Sequence, residues 1–440
     1  MKSLLLLLLV SCNRDNNTSD NQVPPPDLTV TLSPGETRAG FVSKSDALFG
    51  GISAEGKIGD IKIYNDRVRF IIQNRREGSY YIHQSGNVID ADIVRPAGQP
   101  GRDMIDEWAA MAGIGHLLDA TQLTVESNGL DGDAVVMATG WESPLDLLNG
   151  ILEYEVIKSS NLKFRTEYRL PADSWFLQVT TTVTAMDGDV NFNPGDAILA
   201  AQEGAASWVP GVGYKALNGD MLAWRGYVGK RNELAFGIFS APGDLTSPGG
   251  LQALGSLIEV VGAFGDAVDV SDREKYTWTR YYGVGPDPAT LSDAWLALGD
   301  TSTETVAGLV SADDGPVVGA RVTISVGDSP YTLAITREGG LFSADVPAGS
   351  QTTVLADGRG MGVFFDGPEG AAQYSLYADT APTQRVLTSL EVGAPAIPVA
   401  QGRGIGSVVD PLTLQVPATV AIEVADGLPF AARLEAIEPI

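Results

Sequence analysis

The residues best suited to chemistry fall between positions 83 and 116. Asp90, Asp92, Asp103, Asp106 and Glu107 crowd one short stretch, flanked by His83 and His116, the only histidines in 440 residues. Asp90 and Asp92, two apart on a strand, point the same way. A carboxylate such as Asp103 could join them around Ca²⁺, which takes several oxygen ligands. The bland alternative puts Asp90 and Asp92 on a turn or surface and has Asp103 or Asp106 cap a following helix. No D-x-[DN]-x-[DN]-G loop supports the sharper reading. His83, after Tyr80-Tyr81, could line a sugar-binding groove. His116, between Gly115 and Leu117, reads as a helix-end or core residue. Trp208, Trp224 and Trp278 could offer stacking faces to carbohydrate, although core packing accounts for most tryptophans in β domains.

Composition removes several classes. Two histidines and one cysteine exclude a histidine-cluster metal centre and a zinc-binding cysteine set. Lys and Arg number 29 against 55 Asp and Glu, a formal net charge of -26, so binding to a phosphate backbone is not expected. No G-x-S-x-G occurs, and the Gly-rich stretches 211–213, 339–340 and 402–404 lack the Lys-Ser/Thr ending of a phosphate loop.

The elements that must position these groups are mostly strands. Gly at 51 residues and Pro at 25, with many Val and Thr, predict strands joined by tight turns. Ile61–Tyr64 and Val68–Ile72 flank Asn65-Asp66, a hairpin pattern. Residues 101–118 predict a helix, with Met104, Trp108 and Met111 at helical spacing and Gly113 and Gly115 weakening its end. Leu162–Leu170 and Trp175–Val183 read as long strands. In the second, Phe176, Thr180 and Thr182 face one way and Leu177, Val179, Thr181 and Val183 the other, which predicts burial on both faces. Residues 191–285 are less regular, and Asp300–Thr305 form a polar seam. The expected fold is mainly β. A large N-terminal β-sandwich over 28–302 is followed by a small β-sandwich over 303–360, then by C-terminal strands over 361–440.

Three stretches resemble known families. Met1-Lys2-Ser3, an apolar run from Leu4 to Val10, and Leu9-Val10-Ser11-Cys12 resemble the signal peptide and lipobox of bacterial lipoproteins. The resemblance implies cleavage before Cys12, a lipidated cysteine and a disordered tether over 12–27 that ends in three prolines. As a helix the apolar run covers about 10 Å of a roughly 30 Å hydrocarbon core, so it can address a membrane but not cross one. Asn13 in place of Asp favours an outer-membrane destination. Gly308, Gly319-Ala320-Arg321-Val322, Phe342 and Val346-Pro347-Ala348-Gly349 resemble the carboxypeptidase regulatory-like domain, which implies a non-catalytic module. The stretch from Tyr168 through Asn193-Pro-Gly-Asp196-Ala-Ile-Leu199 resembles the supersandwich of galactose-mutarotase-like domains. That likeness implies a scaffold used by sugar epimerases and polysaccharide lyases, and a histidine paired with a carboxylate such as Glu203. Residues 65–96 also resemble the non-catalytic N-terminal portion of large secreted metallohydrolases, but the histidines that such a hydrolase centre needs are missing.

Together these features predict a lipid-anchored protein of the cell outer membrane. It contacts the membrane through lipid on Cys12 and meets a glycan or an envelope protein through a binding or structural module, with no nucleic acid involved. This reading leans away from catalysis. The alternative is a carbohydrate-active enzyme, epimerase-like or polysaccharide lyase-like, on the supersandwich.

Overall fold

The computed structural model describes residues 26–357, apart from 77–81, 146–159, 202–204, 215–223, 230–233, 242–249, 254–257 and 313–314, and four two-residue strands beyond position 374. Cys12, Glu203 and most of the C-terminal segment lie outside the described residues.

Alternation builds the central strands. In Leu162–Leu170 the residues Leu162, Phe164, Thr166, Tyr168 and Leu170 are buried while Lys163 and Arg165 are exposed. Such period-two patterning fixes which face meets the core, because a one-residue slip would invert every side chain. The strands His116–Asn128, Ala134–Pro144, Leu162–Leu170 and Phe176–Ala185 run as an antiparallel meander. The last of them then pairs with Lys275–Gly285, far along the chain, placing Lys275 beside Thr184 and Gly283 beside Phe176. Elsewhere Pro194–Ala201 lies between Glu107–Ala112 and Ile258–Phe264. Among the described residues these strands belong to one 17-stranded sheet.

That sheet folds over itself in a sandwich-like arrangement. Trp108 stacks on Tyr282 with ring centroids 4.5 Å apart and planes at 16°, and it meets Phe236 edge-on at 6.3 Å. The strands carrying Trp108 and Tyr282 do not pair with each other, so the rings meet across the interior. The Asn65-Asp66 hairpin forms as the pattern predicts: Tyr64 pairs with Arg69, and the Asn65 side-chain oxygen accepts from the amides of Arg67 and Val68 at 2.8 Å.

Two expectations fail for physical reasons. Residues 101–118 are not a helix. Glu107–Ala112 is a strand buried along its whole length, and Gly113 and Gly115, at φ 89° and 83°, turn the chain into the next strand. A strand buried on both faces loses its alternation, which let Met104, Trp108 and Met111 mimic a helical period. The second strand predicted to be buried on both faces is half-exposed at Phe176, Thr180 and Thr182. Threonine is β-branched yet tolerates water, so it marks a strand without marking a buried face.

Residues 303–357 form two further sheets. Thr303–Ala312, Gly315–Pro316 and Leu341–Pro347 make one, and Arg321–Val326, Ser329–Ile335 and Thr352–Asp357 lie in the other. Val306, Val310, Val322, Ile324, Phe342 and Val346 form their shared core. The helix Pro288–Leu296 joins this unit to the large sheet. Leu291 and Ala294 pack with Trp208, Trp224 and Phe239 on one side and with Leu333 on the other. Polar contacts follow the same seam: Trp224 Nε1 donates to Ser292 Oγ at 3.0 Å, Ser292 and Thr332 hydroxyls meet at 2.8 Å, and Arg321 donates to Tyr214 Oη at 2.9 Å.

Asp287 starts that helix and locks it to the small unit. Its Oδ1 accepts from the Thr290 amide at 3.0 Å, and its Oδ2 accepts from the Ile335 amide at 3.1 Å and from Arg337 at 3.0 Å. Asp287→Ala removes a cap and strands a buried amide, so urea unfolding should show a loss of about 2–4 kcal/mol. Asp287→Asn keeps the cap and should lose less.

Candidate active site

The acidic stretch is a set of structural locks. Asp90 and Asp92 lie on Val88–Ile93 and are fully buried. Asp90 accepts from the amides of Glu55 and Gly56 at 2.7 and 3.0 Å, pinning the 50–56 loop onto the sheet. Asp92 accepts from Arg69 at 2.7 Å and from Arg95 at 2.6 Å, so two guanidiniums offset its charge. Asp103 accepts from the Ala91 amide at 2.8 Å. A Cβ on Gly51 would sit 2.2 Å from the Asp103 amide nitrogen, so only glycine permits this close approach. Burial pushes Asp90 up to about 7. Burial, and then the charge of Asp90, hold Asp103 well above the usual carboxylate range. Among the described residues no three or more His, Cys, Asp and Glu side chains are grouped to hold a metal ion. Asp90, Asp92 and Asp103, the residues named for Ca²⁺, are held by amide and guanidinium contacts.

The three tryptophans are core residues. Trp208, Trp224 and Trp278 are 2%, 0% and 6% exposed, so none turns a face to solvent where a sugar could stack. Trp278 donates to Asp196 Oδ2 at 3.2 Å, and Tyr282 donates to Asp196 Oδ1 at 2.9 Å. Arg280 lies 3.6 Å from the same carboxylate. Burial outweighs that guanidinium and both donors, and lifts Asp196 to about 7. This network spans the sandwich interior, out of reach of a substrate. An aspartate inside the otherwise apolar run Gly195-Asp196-Ala197-Ile198-Leu199 was its sequence signal.

The histidines behave differently from each other. His83 is exposed and has no carboxylate beside it among the described residues. His116 places Nδ1 2.8 Å from Glu142 Oε1. Glu142 Oε2 accepts in turn from the Ser160 amide at 2.8 Å. The Glu142 side chain is fully buried while that of His116 is 22% exposed. The turn at Gly113–Gly115 sets the imidazole at the rim, with the His116 amide donating to Gly113 O at 3.2 Å and the Leu145 amide to Gly115 O at 2.8 Å. A carboxylate on Nδ1 orients the ring and favours the tautomer whose Nε2 accepts a proton. His116 and Glu142 are therefore a hydrogen-bonded pair, and His116 opens a strand, not the end of a helix.

No family model matches the sequence, and no curated protein matches it. Solved structures with a partial, low-identity likeness include a TPR-domain containing protein from Parabacteroides distasonis, at 9% identity and TM-score 0.34, covering 55% of this chain and 50% of that one. A galactose mutarotase-like protein from Lactobacillus casei is 9% identical with TM-score 0.31, covering 51% of this chain and 100% of that one. A heparan sulfate lyase HepC mutant from Pedobacter heparinus is 11% identical with TM-score 0.27, covering 70% and 43%. The chain spans half the length of the first of these structures. Likeness at this level defines no particular family and carries no argument about chemistry.

The raised carboxylates have a consequence for stability. Asp90 and Asp196 bind protons more tightly folded, near 7, than at their ordinary value of 3.8. Their contribution is fully present below the unfolded value and is lost as pH rises through about 7. The thermal midpoint should therefore be higher at about pH 5.5 than at about pH 8. Asp196→Asn should flatten that dependence, since its amide can still accept from Trp278 and donate to Tyr282. An unchanged slope would assign the effect to other groups.

Proposed function

We propose that this chain is a carbohydrate-active enzyme, epimerase-like or polysaccharide lyase-like, in which His116 carries the proton. The observation that supports this is the His116–Glu142 pair: an oriented imidazole at the rim, backed by a buried carboxylate. Such a carboxylate stabilises the imidazolium that forms when Nε2 takes a proton. Mutarotation asks for a base on one oxygen and an acid on another at the same time. Elimination can be run by one group in sequence. Nε2 takes the proton from the carbon next to a uronate carboxylate, the β C–O bond breaks as the C=C forms, and the imidazolium returns the proton to the leaving oxygen. A single oriented histidine suits this second scheme, so a uronate-containing polysaccharide is the substrate class we favour.

The test follows the ultraviolet absorbance of the new C=C while the protein acts on polygalacturonate, with an aldose mutarotation assay in parallel. His116→Ala should reduce turnover by about 10²–10⁴-fold. Glu142→Gln should lower the rate, because the ring loses the carboxylate that orients it. No activity on either substrate type, or a His116→Ala protein as active as the parent, would sink the assignment.

The setting we propose is the outer membrane, with lipid on Cys12 as the anchor and the 303–357 unit as a carboxypeptidase regulatory-like spacer. Two acyl chains give firm anchoring where one gives only marginal affinity. Expressed in a Gram-negative host, the parent chain should incorporate labelled palmitate and sediment with membranes. Cys12→Ala should do neither.

A further inference from the structure

The outer face of the strands Ala134–Pro144, Leu162–Leu170, Phe176–Ala185 and Lys275–Gly285 is covered only in part. Near one end Phe176 and Tyr281 pack under the helix Pro288–Leu296. The other end is open, and the register lays two rows of side chains across it. The first is Trp141, Lys163, Thr184 and Lys275, each paired with the next. The second runs through Arg165, Thr182 and Thr277. Lys163, Arg165, Lys275 and Thr277 are exposed, and Trp141 is 43% exposed. The Thr182 and Thr277 hydroxyls meet at 2.8 Å.

We infer that this open face is a binding surface for an anionic polysaccharide, separate from His116. Three properties carry the inference. Lys163 and Lys275 have only Trp141 and Thr184 beside them in the row, on a chain of net charge -26, while Arg165 shares a depression with Glu126, Asp133 and Glu167. No described residue forms an ion pair with Lys163, Arg165 or Lys275, whereas Arg169, farther along, is held by Asp133 and Glu167 at 3.5 Å each. The row couples an indole face, which sugars stack on, to ammonium groups for carboxylates and to threonine hydroxyls for ring hydroxyls. It crosses four strands, about 14 Å at the usual inter-strand spacing, long enough to follow a short run of sugar units.

The boundaries of the surface are acidic. Asp189 and Asp272 sit in the turns beyond Lys275, bonded to each other's loops. Asp119, paired with Trp141, spends its Oδ1 on the Ser85 amide at 3.0 Å. Arg165 itself lines a depression of about 450 Å³, together with Glu126, Asp133, Glu167 and Arg169. The basic row ends at Trp141, whose neighbour Glu142 points to the opposite face and holds His116. The surface stands whether or not His116 is catalytic.

Affinity electrophoresis of the full chain through gels containing polygalacturonate, with neutral dextran as control, tests it. The parent should be retarded by polygalacturonate and not by dextran, and added salt should weaken the effect. K163A/R165A, changing two exposed residues, should bind about tenfold more weakly, and W141A should also lose retardation, with unfolding midpoints unchanged. H116A should be retarded like the parent, so failure of the catalytic reading leaves this result intact. Equal retardation of parent and K163A/R165A, equal retardation by dextran, or none by polygalacturonate would overturn the inference.

Discussion

The contact on which the rest of the large domain depends is the one across its interior. Trp108 and Tyr282 stack at 4.5 Å between strands that share no hydrogen bonds. Backbone pairing along a sheet sets order and register but does not bring its far parts face to face. Burial of large rings does, since each aromatic side chain removes some 150–250 Å² from water. Asp196 sits among those rings and satisfies both the Trp278 and the Tyr282 donors. A well-partnered polar group adds little net stability to an apolar core, but it costs much if misplaced. It therefore selects one alignment of the layers over near neighbours.

That alignment determines what is left at the margins. Strands running between two layers direct alternate residues inward, and the His116–Glu142 pair lies beside the turn at Gly113–Gly115. Glu142 points inward with its carboxylate fully buried, while His116, closer to the turn at Gly113–Gly115, keeps part of its ring in water. One neighbour along the strand, Trp141 points outward. The same two-residue period thus supplies a buried anion to one face and an exposed indole to the other. The His116–Glu142 contact and the row that begins at Trp141 therefore lie on opposite faces of one strand.

Much of the scaffold was legible from residue order. Alternation in 162–170 and the Asn65-Asp66 turn reflect local physics, and so does the Gly319-Ala320-Arg321-Val322 stretch, in which Ala320 and Val322 are fully buried. The helix Pro288–Leu296 carried its signal too, in Asp287 followed directly by Pro288, an N-cap and a first-turn proline. Nine residues inside a β-rich chain were too few for a periodic pattern to stand out. The strand Glu107–Ala112 was misread because burial on both faces erases its period. Trp208, Trp224 and Trp278 were ambiguous because an indole suits a core and a sugar equally.

The His116–Glu142 pair was hidden by register. Beside the turn Asn128 pairs with Ala134; an unbroken ladder would set His116 opposite residue 146, four positions beyond Glu142. Irregularities between Val125 and Ser127 and between Ala120 and Gln122 shift the pairing, so that His116 lies opposite Pro144 and only two positions from Glu142. Bulges add a residue to one strand and re-aim the side chains that follow. Two of them move His116 along its partner strand by one full period, which keeps it on the same face while bringing it within reach of the carboxylate. The site is thus a product of irregularity imposed on a regular frame, and composition or spacing along one strand cannot reveal it. The same reasoning explains why the acidic stretch misled: Asp90, Asp92 and Asp103, close in sequence, are dispersed by strand and loop onto separate amides and guanidiniums. Proximity along the chain counted for less than which face, and which end of the sandwich, each residue was delivered to.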